Sequence, residues 1–276
     1  MEFRTVVPIA KSSFQIDPLE EMLFVGSCFA DSIGRRFVED KFQAIVNPFG
    51  TMYNPASILH TIERCDAAPR TAVFTLGTNH VYRLRETGCI VDNCEKRPAR
   101  LFQEEELSIV DCTDFLRKAV NLLRSRRPDV RVILTVSPIR YRKYGYHESQ
   151  LSKATLLLAV NNLLTIDSQP LQAGSSAQAS STLSYFPAYE IMMDELRDYR
   201  FYADDMFHPS HQAVEYIWQR FGETYFSSAA NEFLRRWLPI KADLAHRPFN
   251  PDSEEYKNFL ATAREKEKQL IEQFKK

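Results

Sequence analysis

Residues 21–37 read EMLFVGSCFADSIGRRF. Four apolar residues (22–25) stop at Gly26, a serine and a cysteine follow side by side, and Ile33 and Phe37 then recur at helical spacing with Arg35 and Arg36 between them. A short apolar run bounded by glycine reads as a buried strand, and an i, i+4 apolar repeat as an amphipathic helix. The segment is therefore a strand, a Gly-Ser-Cys turn and a helix. Two potential nucleophiles, Ser27 and Cys28, stand at the junction.

Working outward, the same alternation recurs. QAIVNPF (43–49) reads as a short strand or turn. A helix starts at Asn54 with Pro55 at its first position, where a missing N–H costs nothing. TAVFTLG (71–77) is a second buried strand, followed by a long helix from about Glu104 to Arg126, and DVRVILTVSPIR (129–140) is a third strand. HESQLSKATLLLAVNNLLT is a further helix. LSYFPAYEIMMDELRDY reads as a short strand and a helix, and HPSHQAVEYIWQRFGETYF as the last helix of the core. Strands alternating with helices imply βαβ units and a mostly parallel sheet, hence a three-layer α/β/α sandwich. Ligands of such sheets bind at the C-terminal strand ends, where Ser27, Gly77 and Ser137 fall. One domain over residues 1–240 is expected, with a charged helical extension over 241–276. That extension is expected to pack on the domain through Phe259 and Leu270, or to pair with another protomer. The polar run at 172–181 reads as a surface loop.

Composition narrows the partners. With 35 basic and 36 acidic residues the net charge is −1, so no broad basic field exists for nucleic acid. No run approaches the roughly 20 apolar residues of a membrane helix. The opening residues carry no signal-peptide pattern, so a cytoplasmic protein is expected. The five cysteines, Cys28, Cys65, Cys89, Cys94 and Cys112, are irregularly spaced and read as reduced thiols. No metal site and no cofactor is expected.

A serine at a strand-to-helix turn lies beside backbone N–H groups of a helix N-terminus, where the dipole favours a developing anion. Its hydroxyl needs a neighbouring base. Of six histidines, His208 in YADDMFHPSHQAV is the best placed, because Asp205 lies three residues before it. In a tight turn that carboxylate can hold the imidazole in one tautomer. The plainer alternatives are a turn cap at Asp205 and ordinary turn chemistry at Ser27. Adjacent side chains on extended backbone diverge, so Cys28 is expected to lie buried beneath the turn as a small apolar residue; a Cys28–His208 thiolate enzyme is the rival. His211 makes an H-x-x-H pair with His208, without a third ligand.

These pieces together resemble the SGNH (GDSL-type) hydrolase superfamily. The string GSCFA at 26–30 is the motif of the GSCFA family, a bacterial branch similar to those hydrolases, and NPFGTMYNP (47–55), TLGT (75–78), VSPIR (136–140) and DDMFHPS (204–210) resemble it too. The resemblance spans roughly residues 5–235. It implies a flavodoxin-like fold with Ser27 as nucleophile and His208 and Asp205 as base and orienter. It further implies an oxyanion hole from the N–H groups of Ser27 and Gly50 and the amide of Asn79. Gly26 stands where the superfamily has aspartate. In GTNH (77–80), Gly77 and Asn79 match the third block, but His80 replaces its aspartate and either contacts substrate or fills the rim. The activity implied is hydrolysis of an O-acyl ester on a carbohydrate or small molecule. An O-acyltransferase and a catalytically silent binding module remain the other readings.

Overall fold

The computed structural model describes residues 4–168 and 182–275; the polar run at 172–181 lies outside them. Its central sheet has five strands, β1 (Glu21–Gly26), β2 (Gln43–Val46), β3 (Thr71–Leu76), β7 (Arg131–Val136) and β8 (Leu183–Tyr185), all parallel, in the order β2-β1-β3-β7-β8. Strands β3 and β7 are buried along their whole length, and β1 along all but its first residue. Burial on both faces is why they read as unbroken apolar runs rather than as alternation.

Helices cover both faces. Leu23 and Val25 of β1 join one apolar cluster with α2 (Pro55–Arg64), α3 (Ile109–Arg126) and α4 (Tyr146–Asp167). Met22 and Phe24 point the other way, into a cluster with α1 (Cys28–Glu39) and α6 (His211–Tyr225). At its centre Phe37 packs its ring 4.8 Å from Trp218 and 5.0 Å from Phe24, centroid to centroid. Helix α1 lies close on the sheet at Gly34, where a Cβ would stand 2.7 Å from Val46 Cγ2. The α/β/α sandwich expected from the alternation is the fold observed.

Between β3 and α3 the chain makes an excursion. Strands β4 (His80–Leu84), β5 (Ile90–Val91) and β6 (Phe102–Glu106) form a separate antiparallel sheet in the order β5-β4-β6. The helix expected from Glu104 therefore starts later. Glu104–Glu106 belongs to β6, and Ser108 caps α3 in a reciprocal capping box with Asp111. Beyond β8 the expected helix is a short α5 (Ala188–Glu190) running into a π-type turn at Ile191–Glu195.

Helix α6 is followed by one the sequence reading did not contain, α7 (Ser228–Ala245), which carries Pro239 in its interior. Its Trp237 indole donates to the Glu39 carbonyl at 3.2 Å. The last helix, α8 (Glu254–Phe274), packs on α7 around Phe233, Trp237, Ile240 and Leu270. Leu270 is buried as expected; Phe259 is not, being 38% exposed against the His246 ring. Among the described residues no helix is long and apolar enough to cross a membrane.

Candidate active site

The turn after β1 is fixed by what surrounds it. Gly26 has φ +145°, and a Cβ there would stand 2.2 Å from the Thr75 carbonyl oxygen, so β1 and β3 close on each other only because this residue is glycine. Asn47 holds the turn from the other side: its Oδ1 accepts from the Gly26 N–H at 2.9 Å, and its Nδ2 donates to Asp31 at 2.9 Å. Ser27 then caps α1, its Oγ accepting from the Phe29 N–H at 3.2 Å. The same Oγ shares a 3.0 Å hydrogen bond with Thr75 Oγ1, and Ser27 is 2% exposed. Thr75 is a partner that sequence reasoning missed; it follows only from the register that sets Gly26 opposite Thr75.

Cys28 corrects its expectation. It is not buried beneath the turn but half-exposed at the first position of α1, with its Sγ 3.6 Å from the Tyr53 hydroxyl. Of the two neighbours the thiol is the more accessible, because Ser27 is the one drawn inward by Thr75. Burial, then the Cys28 contact, hold the Tyr53 phenol protonated far above its ordinary range.

Asp205 and His208 form a tight pair. His208 Nδ1 lies 2.6 Å from Asp205 Oδ2, while Asp205 Oδ1 accepts from the N–H groups of Phe207 at 2.8 Å and His208 at 3.0 Å. Those backbone bonds, and then the imidazole, pull the carboxyl down to about 2, so it stays ionised at neutral pH. An ionised acceptor fixes the proton on Nδ1 and leaves Nε2 with a free lone pair. Met206 takes a left-handed φ of 61° to make the turn, and Ala203 N–H donates to the His208 carbonyl at 2.8 Å. The loop hangs on the end of β7 through Arg140 N–H to the Phe207 carbonyl, 3.1 Å.

Ser27 follows the end of β1, while α6 starts at His211, just past His208, and runs back to Phe226, which bridges to Ile16 ahead of β1; Ser27 and the Asp205–His208 turn therefore both lie on the side where the parallel strands end. A cavity of 280 Å³ runs between α1 and α6, lined by Ser32, Ile33, Arg36 and Glu39 on one side and by Pro209, His211 and Trp218 on the other; neither Ser27 nor His208 lines it. No hydrogen bond joins Ser27 to His208 in this structure: Ser27 Oγ is held by Thr75 and Phe29, and His208 by Asp205 and its own turn.

Each expected oxyanion donor makes a hydrogen bond within the protein. Ser27 N–H donates to the Thr75 carbonyl at 2.9 Å, extending the β1–β3 ladder, and Gly50 N–H to the Asn47 carbonyl at 2.9 Å. Asn79, 3% exposed, donates its amide to the Leu107 carbonyl at 2.9 Å, joining the β3–β4 turn to the chain ahead of α3. That bond spends one of the two Nδ2 hydrogens, and Asn79 Oδ1 is buried without a hydrogen-bond partner among the described residues. Cys28 N–H, first in its helix, has no intrahelical acceptor by geometry. Gly77 lies between Tyr53, whose carbonyl accepts its N–H at 2.8 Å, and Lys153. His80 is buried and stacked on Tyr144 with centroids 3.8 Å apart; burial lowers its pKa and keeps the ring neutral.

Lys153, which sequence reasoning did not single out, lies directly beneath these loops. It is 2% exposed and donates to the carbonyls of Gly77 at 2.8 Å and Ser137 at 2.9 Å, pinning the ends of β3 and β7 together. Burial pushes its ammonium down to about 7. Its sequence signal is faint, one lysine within the apolar stretch of α4.

A parallel α/β/α sandwich with a serine at the first strand end, and an Asp–His turn on the side where the strands end, defines the class. The chain belongs to the GSCFA family: the sequence model of that family matches residues 21–72 and 65–221, and the model described as "GSCFA domain protein, C-terminal domain" matches residues 237–276. No curated protein is similar to it in sequence. Among solved structures it is similar to a family 3 carbohydrate esterase from Clostridium thermocellum, with 11% identity, 78% of this chain and 97% of that one covered, and a TM-score of 0.41. It is also similar to a family 3 carbohydrate esterase from Talaromyces cellulolyticus, with 12% identity, 74% and 95% coverage, and a TM-score of 0.39. An acetyl esterase mutant with acetate ion gives 11% identity, 82% and 100% coverage, and a TM-score of 0.42.

Proposed function

We propose that the protein is a serine-dependent ester hydrolase that removes an O-acyl group from a carbohydrate or small ester through an acyl-enzyme on Ser27. The observation carrying this reading is the 2.6 Å Asp205–His208 pair, with its carboxylate held ionised, on the side of the sheet where the strands end, as does β1 before Ser27. In the reaction Ser27 Oγ exchanges its Thr75 hydrogen bond for one to His208 Nε2. His208 takes the hydroxyl proton as Oγ attacks the ester carbonyl, and Asp205 stabilises the imidazolium. The imidazolium gives that proton to the leaving alcohol; water, deprotonated by the same ring, then releases the acid. The oxyanion is met at the N-terminus of α1, where the Cys28 N–H is unspent and the helix dipole is favourable. A sugar hydroxyl in place of water would make the same acyl-enzyme a transferase intermediate.

One observation favours a second reading, a silent binding module: the buried Ser27 hydroxyl is tied to Thr75 and each expected donor makes a hydrogen bond within the protein. A fluorophosphonate probe under native conditions, followed by peptide mapping, separates the two. The hydrolase reading expects one adduct, on Ser27, lost in Ser27→Ala and in His208→Gln. Absence of any adduct on Ser27, together with no acetate release from short-chain aryl esters, leaves the binding module.

A further inference from the structure

Beside the His208 loop lies a second cleft, of 270 Å³, walled by Arg140, Arg197, Tyr146, Tyr199 and Tyr202 and floored by Met192 and Gln150. Two of its features are unusual together. First, neither guanidinium has a carboxylate partner among the described residues. Arg140 instead lies over the rings of Tyr146 at 4.5 Å and Tyr202 at 5.3 Å, and its only side-chain hydrogen bond is a 3.4 Å contact to the Met206 carbonyl. The one carboxylate on the wall, Asp198, is taken by Arg200 at 3.4 Å. In a chain of net charge −1, unpaired arginines facing one space are a local excess of positive potential. Second, Tyr146 and Tyr199 are 49% and 70% exposed, so ring surface remains open to solvent although Arg140 lies over one face of Tyr146 and Tyr202 sits 6.2 Å from Tyr199.

The cleft is joined to the proposed nucleophile through neighbouring residues. Arg140 lines the cleft, while Tyr141 next to it packs its ring 6.0 Å from Tyr53, whose hydroxyl meets Cys28 beside Ser27. On the other side Tyr202 bridges to Pro209, next to His208. The volume suits one sugar ring better than a drug-sized ligand. Tyrosine faces accept the C–H face of a pyranose, and a guanidinium presents parallel donors to a carboxylate or phosphate.

We propose that this cleft is the subsite for an anionic sugar unit of the ester substrate, with Arg140 and Arg197 reading the negative charge and the tyrosines the ring. The proposal rests on the esterase reading for its place in a reaction, but the cleft is tested by binding alone. Titration calorimetry would compare glucuronate, glucose 6-phosphate, glucose and inorganic phosphate. Glucuronate or glucose 6-phosphate should bind at least about tenfold tighter than glucose, and the tighter of the two identifies a carboxylate or a phosphate as the group read. Arg197→Gln, at an exposed position, should weaken that anion by about tenfold or more, and Arg140→Gln should do the same with its melting temperature checked for folding. Raising the salt to 0.5 M should weaken the anion and not glucose. Ser27→Ala should bind the anion as the parent does. Esterase activity surviving in Ser27→Ala refutes the hydrolase reading and leaves the cleft standing. Equal binding of anion and glucose, anion binding unchanged in both arginine variants, or inorganic phosphate binding as tightly as glucose 6-phosphate each overturns the proposal.

Discussion

Lys153→Met offers the sharpest quantitative test of the structure. The lysine is a buried ammonium with two carbonyl acceptors and the Tyr189 ring at 5.7 Å as its surroundings. Its folded pKa is depressed to about 7, against about 10.4 in an unfolded chain. Between those values the unfolded state binds more protons than the folded one, so this group makes stability rise with pH across that window. Integrating the two titrations from pH 7 to pH 9 gives a gain of about 2 kcal/mol: two units at the maximum slope of about 1.4 kcal/mol each, less the fraction of a proton the folded lysine still holds near pH 7. The variant also leaves two carbonyls without a donor, each worth about 1–3 kcal/mol, but that offset does not change with pH. Urea unfolding of parent and variant at pH 7, 8 and 9 isolates the titrating part, because every other group cancels in the difference. The parent should gain on the variant by about 2 kcal/mol over the range. A difference constant to within about 0.5 kcal/mol would refute the lowered titration of the buried lysine.

Three further outcomes are expected. Iodoacetamide on the native protein should alkylate half-exposed Cys28 and exposed Cys89 but spare Cys112, which is fully buried with its thiol pushed up to about 12, and an adduct on Cys28 should reduce fluorophosphonate labelling of Ser27, all read by peptide mass mapping. Gly26→Ala should destabilise the fold by at least about 3 kcal/mol, seen by calorimetry, since its Cβ would overlap the Thr75 carbonyl and its backbone would be strained. Asp205→Asn should lower the rate of short-chain ester hydrolysis by about three to four orders of magnitude while leaving the melting temperature within a few degrees, because the residue acts by orienting His208 from an exposed turn.

The central strands were legible because β1, β3 and β7 are short apolar runs buried on both faces and bounded by glycine, proline or charge; the LLLAV run at 156–160 is set apart by its place within a much longer helical pattern. The antiparallel sheet was not: β6 spells FQEEE, four polar residues on a solvated strand, and such a string looks like the first turn of a helix. Helix α7 has no counterpart in the sequence reading; it carries Pro239, a residue that usually interrupts a helix, and is anchored by Trp237 and Ile240. In the site, Asp205 and His208 could be paired from sequence because three residues of one turn bring them together. Thr75, Lys153 and the partner of Asn79 could not, because each contact crosses elements from 28 to 76 residues apart. Cys28 was misjudged for a related reason. Alternation along an extended strand decides which of two neighbours faces inward only while the strand lasts, and Cys28 is already helix.

The excursion that carries β4, β5 and β6 leaves the sandwich after Leu76 and rejoins it at Ile109, both held by the core. It adds no strand to the central sheet, yet it brings Tyr82, Glu104 and His80 up against Tyr144. It is tied to the sandwich at two places: Val81 is buried in the main apolar cluster, and Asp92 pairs with His60 and Arg64 of α2. Its solvated outer positions, such as those of β6, can therefore change the face around Tyr144 while the Ser27 turn, whose hydrogen bonds run to Thr75 and its own helix, keeps its shape.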